Sequence, residues 1–135
     1  PDGVTATISA TAGDVNSVNV SGNGTLRVLT EDTGTDLTAP TLSNTGNIDV
    51  ALGQVEISAQ TVNSGDLAVT STLVQNNSGQ TVALPGELSL TGSFTNTGVF
   101  RASEGGQIDL ATPVIDNQSE IRVENGIADL RASNI

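Results

Sequence analysis

The chain has 135 residues; Ser, Thr, Asn and Gly supply 58 of them and Val, Leu and Ile another 34, while Cys, Met, Trp, Tyr, His and Lys do not occur. Fifteen acids against four arginines give a formal net charge of −11, which repels nucleic-acid phosphates and anionic lipid heads. This composition excludes disulfides and catalysis by thiolate or histidine, and no apolar run is long enough for a membrane span, so we expect neither nucleic-acid binding nor membrane insertion.

The first 40 residues show short alternating patterns and less regularity than the rest. Val4, Ala6 and Ile8 alternate with Thr and Ser as in a half-buried strand, and two further short strands are predicted around residues 18–20 and 26–28. Pro40 is expected to interrupt any central strand. We therefore expect residues 1–40 to form an irregular β segment that supplies the first rungs, a cap or a donated strand, and residues 41–135 to form a repeat domain.

The repeat is marked by a turn of the form Asn-x-Gly, as in Asn44-Thr45-Gly46. The Asn positions of the series recur mostly 19 to 21 residues apart, at Asn23, Asn44, Asn63, Asn77, Asn96 and Asn117, although the third residue is Thr25 after Asn23 and Ser119 after Asn117. A period near twenty residues is typical of a solenoid. The step from Asn63 to Asn77 is 14 residues, so in that rung either Asn76 is the repeating residue or one corner is skipped.

Superposing the repeats on their Asn produces columns of similar residues. The fourth position after Asn is occupied by Ile48, Leu67, Thr81, Phe100 and Ile121, and the sixth by Val50, Val69, Ala83, Ala102 and Val123. A second turn is predicted at the ninth position, at Gly53, Gly86, Gly105 and Gly126, where a positive φ is tolerated. Further apolar positions follow this turn, so each rung is predicted to be strand, turn, strand, turn and short strand.

These columns predict an all-β fold, a parallel β-helix or β-solenoid with about 18–20 residues per rung and about six rungs. Equivalent residues of successive rungs would lie ~4.8 Å apart, so that the Asn side chains form a hydrogen-bonded ladder. The alternative is that Asn residues accept glycans, because Asn23, Asn76 and Asn117 each begin an Asn-x-Ser/Thr sequence. Most of the ladder positions lie outside such sequences, which favours the ladder.

The acids are the remaining candidates for catalysis, since paired carboxylates hydrolyse glycosides. Asp49, Glu56, Asp109 and Asp129 each lie between apolar residues and are expected to point outward on separate faces. The two aromatic residues, Phe94 and Phe100, fall in inward columns and leave none for sugar stacking. We therefore predict no enzymatic activity, no cofactor and no metal site.

The run from Asn44-Thr45-Gly46-Asn47-Ile48 to Gly53-Gln54-Val55-Glu56-Ile57, echoed from Asn96-Thr97-Gly98 to Gly105, resembles the repeats of filamentous-haemagglutinin-like and autotransporter passenger proteins. That resemblance implies a secreted bacterial, right-handed parallel β-helix. We expect a non-enzymatic extracellular stalk or adhesin, or a subunit that self-associates through open solenoid ends, with a surface glycan or protein as a possible target. The alternative is a fragment of a carbohydrate-active β-helix enzyme.

Overall fold

The computed structural model describes residues 3–9, 13–30, 35–75 and 78–134 of the chain. Within this part the secondary structure consists of strands and turns, as expected for a chain rich in Thr, Val and Ile. The strands are β1 Thr5–Ile8, β2 Gly13–Asp14, β3 Val18–Val20, β4 Thr25–Leu29, β5 Thr35–Asn44, β6 Asn47–Asn63, β7 Asp66–Val69, β8 Ser71–Gln75, β9 Thr81–Leu90, β10 Ser93–Asn96, β11 Val99–Ser103, β12 Gln107–Asn117, β13 Glu120–Glu124 and β14 Ile127–Asn134.

The strands are stacked as successive coils of one parallel β-solenoid. The first strand segment of each coil lies beside that of the next, through β1, β4, the start of β6, β7, β11 and β13. Six coils result, which begin at Thr5, Thr25, Asn47, Asp66, Val99 and Glu120. The prediction of an all-β solenoid with about six rungs is confirmed.

Each coil continues into a second and a third strand segment, which belong to a second parallel sheet. In the third coil, for example, the second segment is 54–57 and the third is 60–63, and both are part of the long strand β6. The backbone groups of one coil therefore pair with those of the coils on either side, which satisfies them without any helix.

The N-terminal strands are stacked in register with the later coils. The expected strand break at Pro40 is wrong, because β5 runs through this residue. The register of β5 against β6 shifts between Ala39 and Thr41. Since proline has no N–H to donate, this irregular position is where the sheet tolerates it.

The core consists of inward columns that run through the coils. The column that contains Leu67 is formed by Leu26, Ile48, Leu67, Phe100 and Ile121, and the next one by Val28, Val50, Val69, Ala102 and Val123. Leu67, Val69 and Phe100 are fully buried. Burial of one such side chain contributes roughly 1.5–3 kcal/mol, so the stacked coils supply the stability that a single coil lacks.

The predicted rung that starts at Asn77 is wrong, although Asn77 itself lies outside the described residues. Thr81 and Ala83, which were expected in the inward columns, belong to an antiparallel hairpin in which β8 pairs with the first half of β9. The hairpin spans residues 71–85 and is inserted between the first and second segments of the fourth coil. Leu67 is consequently followed in its column by Phe100 and not by Thr81.

Candidate functional site

The most regular polar feature of the molecule is a ladder of four asparagines, one from each of four successive coils. Asn44 Nδ2 donates to Asn63 Oδ1, Asn63 Nδ2 donates to Asn96 Oδ1, and Asn96 Nδ2 donates to Asn117 Oδ1, each at 2.8 Å. The first three side chains are at most 1% exposed. The three bonds point the same way along the axis, so each of the first three amides donates to the Asn of the next coil.

The ladder amides also form hydrogen bonds with nearby backbone N–H and carbonyl groups. Asn44 Oδ1 accepts from the N–H of Gly46 at 3.1 Å, which closes the turn that follows it. Asn63 Nδ2 also contacts the carbonyl oxygens of Gly65 and Val99, at 3.2 and 3.1 Å. The ladder therefore both shapes the turn of its own coil and ties that coil to the next one, which is a structural role.

Asn23 does not belong to the ladder. The residue opposite Asn44 in the preceding coil is Val20, and Asn23 lies three residues later, exposed in a longer turn. Because Val20 has no amide, the hydrogen-bonded series begins at Asn44. Asn117 lies at the other end of the ladder; its side chain is exposed and donates to the carbonyl of Ser119 at 2.8 Å.

The predicted turn glycines fall into two physical groups. Gly53 and Gly105 have φ values of 101° and 97°, in the region that favours glycine. Gly86 lies opposite Gly53 without a positive φ, and an added Cβ there would lie 1.9 Å from the carbonyl oxygen of Val50. Gly106, and not Gly105, is aligned with Gly86 and Gly126, because Gln107 pairs with Glu87 and with Ile127.

An open groove of about 310 Å³ runs along the outer surface of the second segments. The expectation that Glu56, Asp109 and Asp129 lie on separate faces is wrong, because all three occupy one outward column, which also contains Ser89. Asp49 lies elsewhere, on the first segment. Four acidic side chains line the groove: Glu56, Glu87, Asp109 and Asp129.

The carboxylates of this groove are engaged by neighbouring side chains. Arg131 donates to both oxygens of Asp109 at 2.7 and 2.8 Å, and its Nε lies 3.3 Å from Asp129. The hydrogen bonds and the charge of Asp109 raise the pKa of Arg131 above its usual value. Gln54 donates to Glu87. Ion pairs as exposed as these are screened by solvent, so the arrangement adds little stability.

Metal-ligand clusters and membrane-spanning helices are both absent from the described part of the chain. No group of three or more His, Cys, Asp or Glu residues is placed to hold a metal ion there. Among the same residues, no helix has the length and hydropathy that a membrane crossing requires. Comparison of the chain with protein-family models, with curated proteins and with solved structures finds no match.

Both ends of the described column expose residues of the inward columns. In the sixth coil Val123 is 44% exposed and Leu130 is 42% exposed, whereas Val69 and Leu110, in the same columns of earlier coils, are fully buried. At the other end an open cavity of about 430 Å³ is lined by residues of the first two coils, among them Val4, Ala6 and Ile8. Each end therefore presents an apolar interior and an unpaired strand edge in the described structure.

Sequence reasoning missed the hairpin of residues 71–85 as a surface feature. Leu73, in β8, is 69% exposed and Val82, in β9, is 38% exposed. A signal was present, because the chain carries no charged residue from Leu67 to Gly86. That uncharged stretch in an otherwise acidic chain indicated a segment whose exposed surface differs from the acidic surface of the column.

Proposed function

We propose that this chain is a non-enzymatic structural segment of an extracellular protein, a β-solenoid column that serves as a surface stalk or adhesin or is joined end to end into a filament. The observation that carries the proposal is the exposure of inward-column residues at the ends, such as Leu130. A further coil stacked on that end would bury them and pair the strand edge. In a filament that coil would be the end coil of a second copy.

The side surfaces support a scaffold role. The side chains of the asparagine ladder are hydrogen-bonded between coils, and the groove carboxylates Asp109 and Glu87 accept hydrogen bonds from neighbouring side chains. The abundance of Ser, Thr, Asn and Gly, the absence of Cys and the resemblance of the Asn-x-Gly repeats to secreted bacterial repeat proteins support an extracellular setting. An adhesive target would bind on the side of such a column.

The proposal is tested by negative-stain electron microscopy and sedimentation velocity over a range of protein concentrations. We expect end-to-end oligomers or filaments that lengthen with concentration. Leu130→Asp, which places a charge on the exposed end, should shorten them, whereas Val62→Asp, which places the same charge on an outward column of the third segment, should not. Both residues are partly exposed, at 42% and 36%.

The competing function is hydrolysis of a polysaccharide by carboxylates of the groove, such as Glu56 and Asp109. It predicts release of reducing sugar from acidic or neutral polysaccharides, and loss of that release in Glu56→Gln or Asp109→Asn. Monomers at every concentration together with reducing-sugar release would overturn the structural proposal.

A further inference from the structure

The hairpin of residues 71–85 departs from the side of the column and has an open strand edge. Within the described residues, β8 pairs with β9 on one side and with no strand on the other. Natural proteins blunt such edges with charges, prolines or bulges, and β8, with the sequence Ser-Thr-Leu-Val-Gln, has none of these. The edge is therefore competent to pair with another strand.

The charge distribution makes this hairpin the surface on which a second copy of the same chain meets the least repulsion. Two copies that each carry −11 repel one another, and all 15 acids lie outside the uncharged stretch from Leu67 to Gly86. A partner that approaches the hairpin with its own hairpin brings two uncharged strands together. Strand β8 paired antiparallel with itself about its central residue would place Leu73 opposite Leu73, where cross-strand apolar pairs stabilise a sheet.

We infer that two copies of this protein associate laterally through the free edges of their β8 strands, which creates a four-stranded antiparallel sheet across the interface. The contact is isologous, so it closes at two copies. It is independent of the end-to-end contact of the proposed function. That contact adds copies one after another and forms an open series, an oligomer with no fixed size. Because the paired strands are five residues long, the interface is small and the dimer is weak.

The two kinds of contact are separated by sedimentation equilibrium in a Leu130→Asp background, which blocks end-to-end stacking. We expect the apparent mass to rise with concentration and to level off at twice the monomer mass of 13.6 kDa. Addition of Leu73→Lys should return the protein to monomer, because it places like charges opposite each other. Addition of Val62→Lys changes the net charge equally and should leave the dimer unchanged.

Higher salt should strengthen the dimer, because it screens the repulsion between two acidic copies. A Leu130→Asp protein that stays monomeric would overturn the inference, and so would a dimer that survives Leu73→Lys. An unaltered protein that forms the closed dimer but no end-to-end oligomers would contradict only the end-to-end contact of the proposed function.

A second measurement does not depend on the Leu130→Asp variant. The chain has no cysteine, so Leu73→Cys introduces a single thiol that lies opposite its copy in the dimer, within the Cα separation that a disulfide needs. Its oxidation to a disulfide-linked dimer should be at least ~10-fold faster than that of Val62→Cys, because pairing raises the effective thiol concentration. Equal rates for the two variants would overturn the inference.

Discussion

At the scale of single residues, Asn63 is the best test of the ladder. It is fully buried, it accepts from Asn44 Nδ2, and it donates to Asn96 Oδ1. Asn63→Ala would leave two buried polar groups without their partner. Since each such loss costs about 1–3 kcal/mol, we expect the free energy of unfolding to fall by roughly 2–6 kcal/mol in urea titrations.

The control for this substitution is Asn47→Ala, three residues after a ladder position. Asn47 is an exposed residue in the outward column of the first segment. Its loss should change the free energy of unfolding by less than about 0.5 kcal/mol. Equal losses in the two variants would show that the ladder hydrogen bonds do not stabilise the column.

The Gly of the Asn-x-Gly motif has a steric reason that the sequence does not reveal. A Cβ on Gly98 would lie 2.2 Å from the carbonyl oxygen of Gly65 in the coil below, and its φ is not positive. In the sixth coil Ser119 takes this position, and the next backbone bond, from the N–H of Glu120 to the oxygen of Gly98, is 3.4 Å long. The equivalent bond from Val99 to Gly65 is 3.0 Å.

Gly98→Ala should therefore destabilise the protein, because the added methyl group forces two coils apart. We expect a loss of about 1–3 kcal/mol, the usual cost of overpacking, in the same urea titrations. Ser119, at the matching position of the sixth coil, already has a Cβ, so Ser119→Ala should leave the free energy of unfolding nearly unchanged. A neutral Gly98→Ala would mean that the coils are not as close at this turn as the structure shows.

At the scale of elements, one three-residue pattern serves two different turns. The glycines of Asn63-Ser64-Gly65 and Asn77-Ser78-Gly79 look alike in sequence. Gly65 is in contact with the coil below, whereas Gly79 has a φ of 74° and open space around its Cα. Gly79 is thus suited to the turn of a hairpin. Sequence spacing alone does not separate these roles, and it therefore predicts a rung at the 14-residue step.

The hairpin should be dispensable for folding of the column. The carbonyl oxygen of Thr70 lies 2.7 Å from the N–H of Gly86, so the two ends of the insertion are already adjacent. Asn63 and Asn96 are 33 residues apart, and deletion of the 15 residues 71–85 would leave 18, close to the length of an ordinary rung.

We expect the protein lacking residues 71–85 to keep its far-ultraviolet circular dichroism of β type and to unfold in a single cooperative transition. The useful comparison is a deletion of equal length, residues 54–68, which removes strand segments from the column and should prevent folding. An unfolded protein after loss of 71–85 would show that the hairpin holds the fourth coil in place.

At the scale of the whole molecule, the inward columns were the part most accessible from sequence. Ile48, Leu67 and Phe100 are stacked as the repeat of apolar positions predicted, because burial on a period-2 strand constrains every second residue. Outward residues carry no such constraint. The grouping of Glu56, Asp109 and Asp129 in one groove was nevertheless accessible from sequence, because each acid lies between the two inward residues of a second segment and these segments are stacked in register.

Engineered disulfides report directly whether the coils are stacked in register across the insertion, because the chain has no cysteine of its own. Val62 and Thr95 are outward partners in neighbouring coils, so a Val62→Cys/Thr95→Cys variant should form an intramolecular disulfide in high yield. An uninterrupted rung from Asn77 would instead bring Asp66 beside Gln80. Efficient disulfide formation in Asp66→Cys/Gln80→Cys, together with none between positions 62 and 95, would show that the third coil is not stacked on the fourth in this register.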